Sequence, residues 1–217
     1  RLPAEWEPQW GVQLTWPHAE TDWAPMLSEI TATYEELARE IAKRENLLVV
    51  KQGDGSFVTS CGVTKEPSPC YISCPTNDTW ARDHGFITVV NEGRYELLDF
   101  CFNGWGGKFE ASLDNAINRH LYATGLLRGN YRDCLDIVLE GGSIESDGQG
   151  TLLTTTQCLL HPNRNPSLGK DDIEQMLLDR LKAKQVLWLD YGYLAGDDTD
   201  SHIDCAAFVN KRFEFIN

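Results

Sequence analysis

Apolar residues recur at helical spacing between positions 23 and 45, at Trp23, Met26, Leu27, Ile30, Tyr34, Leu37 and Ile41. Residues three and four apart share one face of an α-helix, so this stretch predicts an amphipathic helix, with Asp22 as its cap and Pro25 in its first turn. The apolar run 47–51 predicts a buried strand, and 87–90 and 95–100 predict two strands joined by a turn at Asn91, Glu92 and Gly93. A second helix is predicted over 108–122, with Phe109, Leu113, Ile117 and Leu121 on one face. Strands follow at 137–139, 143–146 and 151–155, the last two linked by DGQG. A third helix over 171–182 would bury Ile173, Met176, Leu177 and Leu181, and a strand at 186–189 comes after it. Helices recurring among short strands in this order predict an α/β protein built from similar modules. The last stretch, IDCAAFVNKRFEFIN, predicts a strand pair in progress and hence a chain that continues past Asn217.

Composition narrows the class. The chain has 217 residues, enough for one good-sized core or two small domains. With 41% hydrophobic and 24% charged residues it reads as an ordinary folded protein. No apolar run approaches the roughly 18 residues of a membrane helix, and RLPAEWEPQW has no apolar core of a secretory signal. A net charge of −14 repels phosphate backbones and argues against a nucleic-acid partner. The same field suits a cationic ligand, though it equally serves solubility. The cysteines number seven, an odd count at irregular spacing. Cys70 and Cys74 could form half a zinc site, but no second pair answers them, and reduced thiols in a cytoplasmic protein are the simplest reading.

Chemistry concentrates in three segments, NDTWARDHG (77–85), LEGGSI (139–144) and GDDTDSHID (196–204). On a strand, His202 and Asp204 would share one face while Ile203 enters the core. Such a pair can carry protons and grip a cation, or the acids can simply face water in a surface loop. The alternation of Asp198, Asp200, His202 and Asp204 leaves a metal site open. Asp83 precedes an apolar run and fits either a functional carboxylate at a strand end or a turn former beside Arg82. Glu140 ends an apolar strand ahead of two glycines. A buried glutamate needs a partner, and His202 would supply one; a solvated glutamate at a bulge is the alternative.

Taken together and in this order, these segments resemble the agmatine deiminase and Porphyromonas-type peptidylarginine deiminase family. LPAEWEPQWGVQLTWPH at the start, TNDTWARDHG, VLEGGSIESDGQGTLLTTTQCLL, NRNPSLGKDDIEQML and GDDTDSHIDCAAFV carry the likeness over essentially the whole chain. The resemblance implies a pentein fold, an α/β propeller of similar modules around a pseudo-fivefold axis, with about three of five modules in residues 1–217 as one catalytic domain. It implies that Asp83 and Asp204 grip the substrate guanidinium, that His202 is the general acid and base, and that Glu140 hydrogen-bonds His202. Trp80 would line the pocket. The family's nucleophile is a cysteine in a glycine-rich segment near the C-terminus, and no such segment occurs here. Cys205 would point to the opposite strand face from Asp204 and serve the core. Phe86 and Ser201 depart from the family pattern, Ser201 standing where glycine is usual.

The implied reaction is hydrolysis of agmatine to N-carbamoylputrescine and ammonia through a covalent thiouronium, without metal or other cofactor. The implied partner is a small cationic guanidino compound, with no nucleic acid and no membrane, and a homo-oligomer is left open. Peptidyl-arginine is the alternative substrate. A non-catalytic guanidinium-binding protein and a metal-dependent enzyme are the readings from other classes.

Overall fold

The structure, a computed structural model, describes residues 1–54 and 69–209. Cys61 and the predicted strand residues past 209 lie outside the described part. The chain divides into two compact units. One holds Pro8–Gly85 and Ala111–Leu127; the other holds Arg1–Glu7, Phe86–Glu110 and the described residues from Arg128 onward.

The first unit is built on a three-stranded sheet of β1 (Gly11–Thr15), β2 (Asn46–Lys51) and β3 (Pro69–Ser73), in that order and parallel throughout. Leu47 to Val50 are all buried on the central strand, as a strand covered on both faces requires. A parallel pair needs a crossover, and helix α1 (Leu27–Ala42) supplies it between β1 and β2. Ala38 of this helix packs with Leu47 and Val49. Gly11 permits the close approach of β1 to β2, because a Cβ there would stand 2.4 Å from the Asn46 carbonyl oxygen. The predicted cap is corrected: Asp22 makes no capping bond, because a 3-10 turn at Ala24–Met26, opened by Pro25, leads into α1 instead. Strands β1 and β3 were not predicted from the sequence pattern.

Two short helices complete the first unit, α2 (Ala81–His84) and, beyond an intervening segment of the second unit, a helix at Ile117–Ala123. The second helix predicted over 108–122 therefore begins much later than its apolar spacing suggests. Trp105, Gly106 and Gly107 have φ of 54, 84 and 80°, so the chain just ahead of it takes a left-handed course in a helical turn, α3 (Gly104–Gly107). The Ile117–Ala123 helix is α4.

The second unit repeats one motif twice. In the first copy, β4 (Ile87–Asn91) and β5 (Arg94–Cys101) form an antiparallel hairpin, and β6 (Asn130–Val138) joins β5 in parallel. Glu92 and Gly93, at φ of 49 and 76°, make the left-handed two-residue turn that suits the twist of a hairpin. In the second copy, β7 (Ile144–Ser146) pairs antiparallel with β8 (Thr151–Thr155). A short helix α5 (Thr156–Leu159) and a crossover helix α6 (Lys170–Leu181) follow, and β9 (Gln185–Leu189) then joins β8 in parallel. Ile173, Leu177 and Leu181 of α6 are at most 1% exposed and enter the core that also holds Leu98, Phe100, Ile137, Leu152 and Cys158. Burying such side chains contributes about 1.5–3 kcal/mol each.

The described chain ends in helix α7 (Ile203–Val209), where a strand was predicted. No helix among the described residues is long and apolar enough to cross a membrane. Cys74 and Cys134 are free thiols, whereas Cys70 is disulfide-bonded, which corrects the expectation of uniformly reduced cysteines.

Candidate active site

In the second unit, β6 ends at Val138 and the chain passes through Leu139 and Glu140 into a 3-10 turn, Gly141–Ser143. Glu140 thus follows the strand rather than ending it. The Ser143 hydroxyl donates to the Glu140 carbonyl at 2.6 Å and fixes the turn. The Glu140 side chain is fully buried. Both of its carboxylate oxygens accept from Nε of Arg164, at 2.9 and 3.1 Å, and the Arg164 side chain is equally buried. Arg164 reaches further, donating from Nη1 to Asp200 Oδ2 at 2.8 Å and from Nη2 to the Thr199 carbonyl at 2.9 Å. Lys108 Nζ meets the other Asp200 oxygen at 2.7 Å.

The segment 197–202 is held almost entirely by side chains. Asp197 accepts from the amides of Thr199 and Ser201 at 2.8 and 2.7 Å, and Thr199 Oγ1 accepts from the His202 amide at 3.1 Å. Thr155 Oγ1, at the end of β8, donates to the Ser201 carbonyl at 2.7 Å. Asp200 and Ser201 take φ of 63 and 69°, the region L-residues rarely adopt. The tight turn delivers His202 into the interior at 1% exposure, immediately before α7.

A ring nitrogen of His202, the Sγ of Cys158 and a carboxylate oxygen of Glu140 lie within 4.8 Å of one another. Burial, and next the Arg164 charge, lower the His202 pKa to about 3, so the resting imidazole is neutral. Burial raises the Glu140 pKa, with Arg164 pulling the other way. Burial also works against the charge on Arg164, but Glu140 and Asp200 outweigh it and raise its pKa.

Asp204 sits in the first turn of α7, half-buried, with Oδ1 accepting from the Cys205 amide at 2.6 Å. The expected strand geometry for His202 and Asp204 is therefore replaced by a helix start, and the opposite-face argument for Cys205 falls with it. Cys205 is half-buried. Nor do Asp198, Asp200, His202 and Asp204 gather as a metal site. Among the described residues the one close set of metal-capable side chains is Glu140, Cys158 and His202, and Asp200 is engaged by two cations.

In the first unit, Asp83 and Trp80 come together in sequence and structure. The segment leading to them is pinned by Asp114, whose carboxylate accepts from the amides of Asn77 and Asp78 at 2.7 and 3.0 Å. Trp80 donates from Nε1 to Asp78 Oδ2 at 3.1 Å and stands 6.2 Å from the ring of Trp23, remaining 44% exposed. Asp83 lies in α2 rather than at a strand end, and it is 7% exposed. The neighbouring His84 fixes the turn: its Nε2 lies 3.2 Å from Thr15 Oγ1, and its carbonyl accepts from Asn118 Nδ2 at 2.9 Å. Gly85 closes the turn where a Cβ would lie 2.6 Å from the Ala81 carbonyl oxygen.

The structure thus joins Glu140 with His202 in the second unit and gives Asp83 and Trp80 ordered positions in the first. Sequence reasoning missed Arg164 and Cys158. The need of Glu140 for a partner was the available signal, but it was assigned to His202 alone.

Comparison with known proteins gives this geometry a context. The sequence model of the Porphyromonas-type peptidyl-arginine deiminase family matches residues 1–213. A Legionella pneumophila protein named "Putative agmatine deiminase" is 39% identical over 213 residues, which is 96% of this chain and 60% of that protein. The chain thus spans about three-fifths of the length of this relative. A C. jejuni agmatine deiminase solved with substrate bound is 39% identical with a TM-score of 0.81, over 93% of this chain and 59% of that one. A crystal structure of "a putative peptidyl-arginine deiminase" is 45% identical with a TM-score of 0.85, over 94% of this chain and 60% of that one. These neighbours have the pentein fold, and the α/β sheets described above are its modules. On the family match over residues 1–213, the chain belongs to the Porphyromonas-type peptidyl-arginine deiminase family.

Proposed function

We propose that the protein carrying this chain hydrolyses the guanidinium group of agmatine, giving N-carbamoylputrescine and ammonia. The observation that carries the reading is the buried His202 within 4.8 Å of the Arg164-held Glu140 carboxylate, in a chain 39% identical to an agmatine deiminase solved with substrate bound. A neutral imidazole can take the proton released when a thiol attacks the guanidinium carbon. It then protonates the departing ammonia, and afterwards it deprotonates the water that cleaves the thiouronium. The nucleophilic thiol is assigned to a cysteine outside this chain.

Asp83 and Asp204 are each assigned to the guanidinium, whose planar fork of N–H donors is gripped best by carboxylates. Trp80, an exposed aromatic face, is assigned to the methylene chain of the substrate. The reaction needs no cofactor, and its ureido product leads toward putrescine and the polyamines. We assign residues 1–217 to one catalytic domain.

Peptidyl-arginine is the second reading, favoured by the 45% identity to a structure described as "a putative peptidyl-arginine deiminase". Ureido product and ammonia should be measured from agmatine, arginine and an arginyl peptide on the full-length protein, with and without EDTA. EDTA-resistant turnover preferring agmatine supports the first reading. Turnover of the peptide alone moves the protein to the second. A folded protein inactive on all three loses the deiminase assignment.

A further inference from the structure

Arg164 lies in the stretch Asn163–Arg164–Asn165, at the start of NRNPSLGKDDIEQML, a segment that carries the family likeness without an assigned role. Its surroundings are those of a built component. Asn165 bonds the end of β6 through both polar atoms of its side chain, Oδ1 accepting from the Val138 amide at 3.0 Å and Nδ2 donating to the Val138 carbonyl at 2.9 Å. The Asn163 carbonyl accepts from Asn103 Nδ2 at 3.0 Å. With its backbone fixed on both sides, Arg164 uses three nitrogens for four bonds to two separate segments, Glu140 after β6 and Thr199–Asp200 before His202. Each segment alone has a reason to move: Glu140 is an acid in the interior, and Asp200 and Ser201 are held in the left-handed region. A buried guanidinium satisfies both at once, through a rigid fork that lysine lacks.

We propose that Arg164 is a positioning residue, clamping the Glu140 carboxylate and the turn 199–201 in one arrangement so that His202 is held in a single orientation and tautomer. Among the described residues, Glu140 and Cys158 come within 4.8 Å of a His202 ring nitrogen, and Arg164, Asp197, Asp200 and Lys108 act on the ring through their charges. Arg164 is the cation of this set that binds two of the acids directly. Without it, Glu140 and Asp200 are both free to seek the imidazole, and the ring loses its unique environment.

The kinetic part of the test rests on the deiminase reading, and the spectroscopic part does not. In the full-length protein, Arg164→Gln should lower kcat for agmatine at least about tenfold, while KM changes much less, because orientation of a proton carrier acts on the chemical step. Arg164→Lys, which keeps the charge but not the fork, should recover part of kcat, and Asp200→Asn should give a smaller loss than Arg164→Gln. Ring nitrogen chemical shifts of labelled His202 at neutral pH should report one tautomer in the parent protein and a mixture in Arg164→Gln. A lowered melting temperature with unchanged kcat and unchanged His202 shifts would reduce Arg164 to a structural strut and overturn the proposal. If Arg164→Gln does not fold, Arg164→Lys and Asp200→Asn are read against the same two criteria. If the parent protein turns over no agmatine, the functional reading fails, and the His202 shifts alone decide for or against the clamp.

Discussion

Asn77 and Asp114 hold each other reciprocally, Asp114 Oδ1 accepting from the Asn77 amide at 2.7 Å and Asn77 Oδ1 accepting from the Asp114 amide at 3.2 Å. The exchange ties the segment before Trp80 and Asp83 to the entry of α4. Burial raises the Asp114 pKa to about 7, against the amide bonds that lower it. A carboxyl whose folded pKa lies above its unfolded value binds more protons when folded, so its contribution to stability is lost as pH rises from about 4 through 7. Asp114→Asn keeps an acceptor for the Asn77 amide and removes the titration. Urea unfolding at pH 5, 6, 7 and 8 should show the parent losing stability, relative to the Asn variant, toward pH 8. Parallel curves for the two proteins would exclude a raised Asp114.

His84 and His202 act in the opposite sense. Burial lowers their pKa values to about 4 and about 3, so the folded protein holds both rings neutral where the unfolded chain protonates them. Stability should therefore fall as pH drops below about 6.5, by up to about 1.4 kcal/mol per pH unit for each ring. The loss continues down to the folded pKa values. His84→Gln, which can still meet Thr15, should flatten that slope by one proton's worth between pH 6 and 5. An unchanged acid slope in this variant would show that His84 is already charged in the folded state.

Much of this architecture was legible from local pattern. The β4–β5 hairpin, α6 and β9 were visible because their signals, a Glu-Gly turn and apolar spacing at three and four, lie within the elements themselves. What failed depends on distant groups. The spacing of Phe109, Leu113, Ile117 and Leu121 is that of a helix, yet the Leu113 and Asp114 amides are taken by the side chain of Asn77, 36 and 37 residues earlier. Alternation in SHIDCAAF suggested a strand, but a short apolar run does not distinguish strand from helix, and tertiary context made it α7. The Glu140 requirement for a partner was readable, whereas the identity of that partner, 24 residues on, was not.

Ser201, where the family usually has glycine, offers a test of backbone strain. Its φ of 69° disfavours any side chain by roughly 1–2 kcal/mol, while its hydroxyl recovers a bond to Gln157 Oε1 at 3.1 Å. Ser201→Ala keeps the strain and loses the bond; Ser201→Gly loses both. The glycine variant should therefore be more stable than the alanine variant by about 1 kcal/mol or more, measured by thermal or urea unfolding. Equal stabilities would mean that the backbone at 201 relaxes out of the left-handed region.

The proposed roles make distinct demands on activity. His202→Ala removes the proton carrier and should lower kcat for agmatine by about 100-fold or more in the full-length protein. Glu140→Gln is the subtler change, because it preserves shape but takes one of two carboxylate partners from the buried Arg164 charge. It should lower both kcat and the melting temperature. Asp204→Asn keeps the acceptor used by the Cys205 amide and loses only the negative charge. Its defect should therefore appear in agmatine binding and turnover while the melting temperature changes little. Full activity in Asp204→Asn would remove Asp204 from the guanidinium site, and a loss of folding would recast it as part of the start of α7.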